Sequence, residues 1–339
     1  MVKTRVAVNG YGTIGKRVAD AISKQGDMQV VGVAKTKPDF GAALSVKKGF
    51  RLFAAACEHY QTFQKAGLQV SGVVEDMLSG CDVVVDCTPG GVGAKNKAVY
   101  EKAGVKAIFQ GGEKHELVEA SFVAEANYAE ALGKKFVRVV SCNTTGLSRT
   151  IGYLNNSFGA KKVRATIVRR AADPGETKKG PINALMPDPA KIPSHHGPDV
   201  QTVIRDVPVV TAAMVASTTL MHLHLVNVEL RLKASRDSVI ECLSQSKRIK
   251  LVEAESGLDS TAALLEFARD LGRERGDMPE VAVWRDSVAV VDNEVYFMQA
   301  IHQESIVVPE NVDAVRAISG SEREAARSIA ITNKSLGLV

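Results

Sequence analysis

The sequence predicts an α/β chain of two domains, the first built on a parallel sheet and the second an α+β domain with a mostly antiparallel sheet. Three observations carry this. Short apolar runs alternate with helical patterns over the first 110 residues, a glycine-rich turn joins the first run to the first helix, and the texture changes near residue 136. A length of 339 residues fits roughly two domains.

The predicted strands of the first part are Arg5 to Asn9, Met28 to Ala34, Asp82 to Cys87 and Lys106 to Gln110, with a helix reaching about Gln25 after the first. Residues 82–87 are apolar without alternation, as in a strand covered on both faces, and run into the loop signal Thr88-Pro89-Gly90-Gly91. Residues 136–141 read as a strand, 142–159 as a helix and 161–173 as a long strand. A Gly/Pro/Lys-rich stretch at 174–198 reads as a long functional loop. From Met221 to Leu232 the chain alternates as a half-buried strand. Leu223 and Leu225 lie in one phase and Val228, Leu230 and Leu232 in the other, which predicts a bulge near Leu225-Val226. Strands at 281–291 and 294–301 flank a hairpin turn at Asp292-Asn293, and helices are expected at 260–273 and 310–330. The expected domains are 1–140, 141–304, and a C-terminal helical segment 305–339 returning to the first.

Composition excludes several classes. The 43 Lys+Arg exceed the 38 Asp+Glu by only five and are scattered, which argues against a dedicated nucleic-acid binder and suits anionic small molecules. No run approaches the roughly 18 apolar residues of a membrane span, and the N-terminus enters a strand without a signal-peptide core, so a cytoplasmic protein is expected. Five cysteines without a CxxC pair suggest neither a disulfide framework nor a zinc ribbon.

Gly10-Tyr11-Gly12-Thr13-Ile14-Gly15 follows a predicted strand and opens a predicted helix. Its glycines permit the tight turn and let backbone approach a pyrophosphate at a helix N-terminus, so the first domain reads as a Rossmann-type dinucleotide-binding domain. NAD-specific sites place a carboxylate at the end of the second strand, but this chain reads Val33-Ala34-Lys35-Thr36-Lys37, with Asp39 a poor substitute beyond Pro38. Lys35 would attract a 2′-phosphate, which predicts that NADP is accepted beside NAD and preferred. Gly111, after the strand ending at Gln110, would let backbone approach the cofactor.

Ser141-Cys142-Asn143-Thr144-Thr145-Gly146 joins a strand to a helix. Cys142 would lie at the helix N-terminus, where the dipole lowers a thiol pKa and free N–H groups hold an oxyanion; this is a nucleophile's position. A base must lie nearby. His222 and His224 project to one face of their strand, and spacing does not choose between them. This HxH with His195-His196 also admits a metal site, although no acidic or cysteine partner is close in sequence. Of Arg169 and Arg170, strand alternation turns one inward, and Arg170 is the choice for a phosphate of cofactor or substrate. Gln303, with an acceptor and a donor, suits a nicotinamide carboxamide.

The motifs SCNTTGL, NGYGTIGKRVADAI, FQGGEKH, GPIN, PSHHGPDV, TTLMHLH and HQESIVVPENVDAVRA span nearly the whole chain in order. Together they resemble the archaeal type of glyceraldehyde-3-phosphate dehydrogenase. The better-known bacterial and eukaryotic enzymes take their base histidine from a segment a few tens of residues after the cysteine, yet nothing from Asn143 to Ser194 is histidine here. The resemblance implies His222 as base, with Ser141, Cys142, Asn143, His195 and His196 contacting the substrate. It also implies a homotetramer of central carbon metabolism that uses a phosphorylated aldehyde, inorganic phosphate and NAD(P), without a bound metal. Asn143 would then help hold the oxyanion. Two rivals are a phosphorylating semialdehyde dehydrogenase and a Rossmann-domain sensor or nucleic-acid binder without turnover.

Overall fold

The computed structural model describes residues 3–172 and 180–338; the start of the stretch expected to form a long loop, residues 174–179, lies outside them. Contacts divide the chain into two compact units, Met1–Ser141 with Val307–Gly337, and Cys142–Ile306.

Among the described residues the first unit holds seven strands: β1 Thr4–Asn9, β2 Met28–Lys35, β3 Leu52–Ala54, β4 Val83–Asp86, β5 Lys106–Gln110, β6 Ala120–Phe122 and β7 Phe136–Val139. They form one sheet in the order β3-β2-β1-β4-β5-β7-β6, parallel throughout. Val83, Val84 and Val85 are fully buried, as the unalternating apolar run requires. From β1 the chain winds outward to β3, then crosses back to β4 on the other side of β1. The strand order therefore reverses between β1 and β4, where open parallel sheets take their ligands.

The helical pattern expected over 310–330 is two helices, Val308–Ser319 and Ala325–Leu336, separated because Gly320 takes φ +75° at the end of the first. Arg316, fully buried on the first, bonds Asp27 at 2.8 and 2.9 Å and Gln25 at 2.8 Å, tying that helix to the turn before β2.

The second unit carries β8 Ala160–Arg170, β9 Met186–Pro187, β10 Val209–Ala216, β11 His222–Leu230, β12 Ile249–Val252, β13 Val281–Trp284, β14 Ala289–Val291 and β15 Glu294–Ile301. The sheet runs β12-β13-β15-β11-β8-β10-β9 with β14 paired to β15. Only β8 with β10 and β12 with β13 are parallel; the other pairings are antiparallel. The single strand expected at 281–291 is two, because a 3₁₀ turn at Arg285–Ser287 interrupts it. The Asp292-Asn293 turn is present, with Asp292 at φ +54°. The stretch expected to be loop also gains structure: β9 pairs with β10, and His196–Gln201 is a short helix.

No bulge forms near Leu225-Val226. β11 keeps one alternation with its even-numbered residues inward, and its only irregularity lies at Glu229/Leu230. The leucines misled because His222 and His224 occupy the inward positions while Leu225 is 41% exposed. The helix Cys142–Phe158 lies so close to the sheet that a Cβ on Gly146 would sit 2.1 Å from Ile301 Cδ1.

Candidate active site

In the first unit the glycine turn hangs from β2: the Gly10 and Tyr11 N–H groups donate to the Ala34 carbonyl at 3.2 and 3.0 Å. Gly10 takes φ +95°, and a Cβ there would lie 2.8 Å from the Cys87 backbone; one on Gly15 would lie 2.0 Å from the Gly10 carbonyl. These two glycines are demanded by the chain's own packing. Gly12 is different, because a Cβ there would meet nothing within 4 Å. The open space lies at the N-cap of helix Thr13–Ser23, whose cap has no side-chain hydrogen bond, so Gly12, Thr13, Ile14 and Gly15 fit a pyrophosphate held by backbone. Gly111 takes φ +80°, again with nothing near its missing Cβ.

Lys35, at the end of β2, is nearly enclosed. Its Nζ donates to the Tyr11 carbonyl at 3.2 Å and pairs with Asp39 Oδ1 at 2.9 Å. Burial works to raise the Asp39 carboxyl, but hydrogen bonds from Lys35 and the Ala42 N–H hold it below the ordinary range. Pro38 stands between Lys35 and Asp39 in sequence, yet the turn brings Asp39 back onto Lys35. Lys16 is a further cation of this corner that the motif spacing does not reveal, its Nζ lying 4.3 Å from the Phe40 ring centroid. Also missed was Asp86, which braces the β4 loop beside Gly10: it accepts from the Thr88 N–H at 2.9 Å, Asn96 at 2.8 Å and Tyr100 at 2.6 Å.

In the second unit Cys142 is the first residue of its helix and its thiol is free; Ser141, just before it, is part exposed. The expectation of a lowered pKa is corrected. Burial pushes the thiol up to about 11, outweighing Arg169, the Asn143 N–H and Arg170, which all favour the thiolate.

Asn143 is 2% exposed and sits between two histidines. Its Nδ2 donates to His196 Nε2 at 3.2 Å, and its Oδ1 accepts from His224 Nε2 at 2.9 Å. The line continues outward, with His196 Nδ1 3.1 Å from Ser194 Oγ, and Gln299 Nε2 donating to His224 Nδ1 at 3.1 Å. The amide expected to face an oxyanion is thus turned to the rings on either side. Burial first, then neighbouring charge, lowers both His196 and His224 to about 3, so both are neutral. His195 is exposed and stacks on His196 with ring centroids 3.9 Å apart. With its nitrogens so engaged, His224 forms no chelate with His222, and no group of three ligating side chains suits a metal among the described residues.

The two arginines meet different surroundings. Arg170 does point inward, but its guanidinium is committed to Gln303 Oε1 at 2.6 Å and to Glu304, and it is 4% exposed. Gln303 therefore gives its acceptor to Arg170. Glu304 lies 3.0 Å from His302 Nε2, and although burial opposes it, these partners hold its carboxyl down at about 2. Arg169, with a side chain 31% exposed, pairs with Asp188 and leaves its Nε without a partner. Backbone also reaches the remaining histidine: the Arg170 N–H donates to His222 Nδ1 at 3.0 Å, while His222 Nε2 is buried and unpartnered.

A reversed parallel sheet with a glycine turn and a separate sheet domain opening on a cysteine define a class: dinucleotide-dependent dehydrogenases that work through a thiol. Comparison with known proteins narrows it. Residues 141–287 match the glyceraldehyde 3-phosphate dehydrogenase C-terminal domain, and residues 4–121 match the N-terminal domain of dihydrodipicolinate reductase. The chain is 56% identical to glyceraldehyde-3-phosphate dehydrogenase of Methanothermus fervidus, covering 98% of this chain and 99% of that one. It is 55% identical to the enzyme of the same name from Methanococcoides burtonii over the full length of both. The chain belongs to the glyceraldehyde-3-phosphate dehydrogenase family, as its motifs indicated. Neither rival reading has support in these matches, and among the described residues no helix is long and apolar enough to cross a membrane.

Proposed function

We propose that the chain is a cytoplasmic NAD(P)-dependent phosphorylating dehydrogenase of glycolysis and gluconeogenesis. It oxidises D-glyceraldehyde 3-phosphate with inorganic phosphate to 1,3-bisphosphoglycerate through a thioester on Cys142. The observation that carries this is a cysteine opening a helix beside a buried cluster of neutral histidines, in a chain matching the family end to end.

The bound dinucleotide supplies the hydride acceptor. Gly10, Gly12, Thr13, Ile14, Gly15 and Gly111 hold it through backbone. Lys35 favours a 2′-phosphate, since the nearest carboxylate, Asp39, is already bound to that lysine. Cys142, as thiolate, attacks the aldehyde carbon, and the N–H groups at the helix start receive the developing oxyanion. Arg169 and His195 are the exposed donors suited to the substrate phosphate. Arg170, Gln303 and Glu304 fix the frame around His222, and Asn143 sets the rings of His196 and His224. Phosphate then displaces the thiol from the acyl group.

The uncovered sheet face, with Leu225 41%, Tyr296 40% and Met298 43% exposed around a groove of about 440 Å³, supports association of chains; a homotetramer is the expected state, which sedimentation velocity reads directly. The activity is tested by following nicotinamide absorbance with glyceraldehyde 3-phosphate, either cofactor, and phosphate present or withheld. Phosphate-dependent turnover with both cofactors is expected; steady turnover without phosphate would contradict an acyl-phosphate product.

A further inference from the structure

The guanidinium of Arg169 meets the carboxylate of Asp188, and the backbone arranges the meeting. β10 lies between their strands: Val215 is opposite Arg169 on β8 and opposite Met186 on β9. Two residues past Met186, the Asp188 N–H donates to the Ala213 carbonyl at 2.8 Å, and further on the Ser194 N–H donates to the Thr211 carbonyl at 2.7 Å. Main-chain bonds thus hold Asp188 along the edge of β10, and its side chain crosses that strand to reach Arg169. Both side chains are 31% exposed, so solutes reach the pair.

The pair is incomplete. It uses Arg169 Nη1, while Arg169 Nε is buried without a partner among the described residues. A guanidinium saturated by an anion presents a fork of two N–H groups to two oxygens; here one donor is unmet, which is unfavourable in an interior and is relieved by an anion that offers more oxygens. The same cation acts on the reacting groups. Burial governs the titration of Cys142, His196 and His222, and the Arg169 charge acts on all three, with Asp188 opposing it at His196. A carboxylate therefore stands on the cation that a substrate phosphate would seek.

Resting on the reading above in which Arg169 receives a phosphate, we propose that Asp188 is a specificity-determining residue, an internal carboxylate that occupies Arg169 until a phosphate group displaces it. Because Asp188 is tethered, a free monoanion meets it as an equal in charge and loses to its local concentration. A phosphate ester carries about 1.5 to 2 negative charges at neutral pH and three acceptor oxygens, so it surpasses the carboxylate in both respects. On displacement the part-exposed Asp188 side chain turns to solvent while its backbone stays on β10. An aldehyde without a phosphate leaves the pair closed.

Asp188→Asn keeps the size of the side chain and removes the competing charge. Thermal unfolding at constant ionic strength is followed against inorganic phosphate and, separately, glycerol 3-phosphate, an ester with no aldehyde to react; the rise in Tm with ligand yields each dissociation constant. Because a half-exposed ion pair is weak, the constant is expected to fall about three- to fivefold in Asp188→Asn. Tighter binding is a result that damage to the fold does not produce. The ligand whose constant falls identifies the source, the attacking anion or the substrate's own phosphate, and either supports the proposal. Acetate, a monoanion, is expected to raise Tm more in Asp188→Asn than in the unmodified protein. Asp188→Ser removes the same charge and is expected to tighten alike, so it serves where the amide disturbs the edge of β10. Constants unchanged or larger for both phosphate ligands in these variants overturn the proposal. Arg169→Gln separates it from the reading on which it rests: weaker binding there, with no change in Asp188→Asn, sinks the proposal alone, whereas unchanged binding in Arg169→Gln removes Arg169 from the phosphate site and sinks both.

Discussion

Arg169 and Arg170 are neighbours on β8 whose guanidinium groups meet opposite surroundings, because successive strand residues face opposite sides. Alternation in the sequence indicates that only one turns inward. It does not indicate that Glu304, 134 residues away, waits there as a buried partner, and so the inward arginine is the one already spent. His222 and His224 were masked in the same way: read as leucine phases, β11 shows a break that the buried histidines remove. The position of Cys142 was legible because its place between a strand and a helix is local, whereas the burial that raises its pKa is a property of the folded unit. Lys35 is the residue whose role is most open to direct measurement. Lys35→Ala is expected to raise KM for NADP about tenfold, with KM for NAD changing by less than about twofold, since a charge-assisted bond to phosphate is lost only in the first case. Equal effects on both cofactors would remove the 2′-phosphate assignment.

At the scale of elements, the glycine turn separates what the fold requires from what the ligand requires. Gly15→Ala drives a Cβ into the Gly10 carbonyl, while Gly12→Ala fills open space. Gly15→Ala should therefore lower Tm by several degrees, and Gly12→Ala should leave Tm within about a degree while weakening cofactor binding at least about tenfold. Thermal unfolding and a cofactor titration check both; an equal loss of Tm in the two variants would mean that Gly12 is structural. The parallel strands and the fingerprint helix were readable because apolar runs, a turn and a helix follow one another within a few residues. Interruptions were not: the breaks at Arg285–Ser287 and Gly320 depend on a short turn and one positive φ, which hydrophobic periodicity does not register.

At the scale of the whole molecule, buried neutral histidines and low-titrating carboxyls give stability a definite acid dependence. His196 and His224 ordinarily titrate near 6.5 but near 3 in the fold, so the unfolded chain binds more protons in between. Their contribution is full above about 6.5 and is lost as pH falls toward about 3. Glu304, ordinarily 4.5 and here about 2, adds a second loss over that lower window. The urea midpoint should therefore fall steadily from pH 7 to about 4.5, with a smaller slope in His196→Gln. A midpoint unchanged over that range would show that these rings are solvated or charged in the native protein.

In the reaction proposed for this chain the acyl group passes through a covalent thioester on Cys142. The most direct measurement mixes the protein with glyceraldehyde 3-phosphate and NADP⁺ without phosphate, quenches in acid, and locates any added mass by peptide mass spectrometry. An acyl adduct on the Cys142 peptide, formed with one equivalent of reduced cofactor and discharged when phosphate is added, is the predicted result. Cofactor reduction with no adduct on that peptide, or with the adduct on another cysteine, would contradict the account.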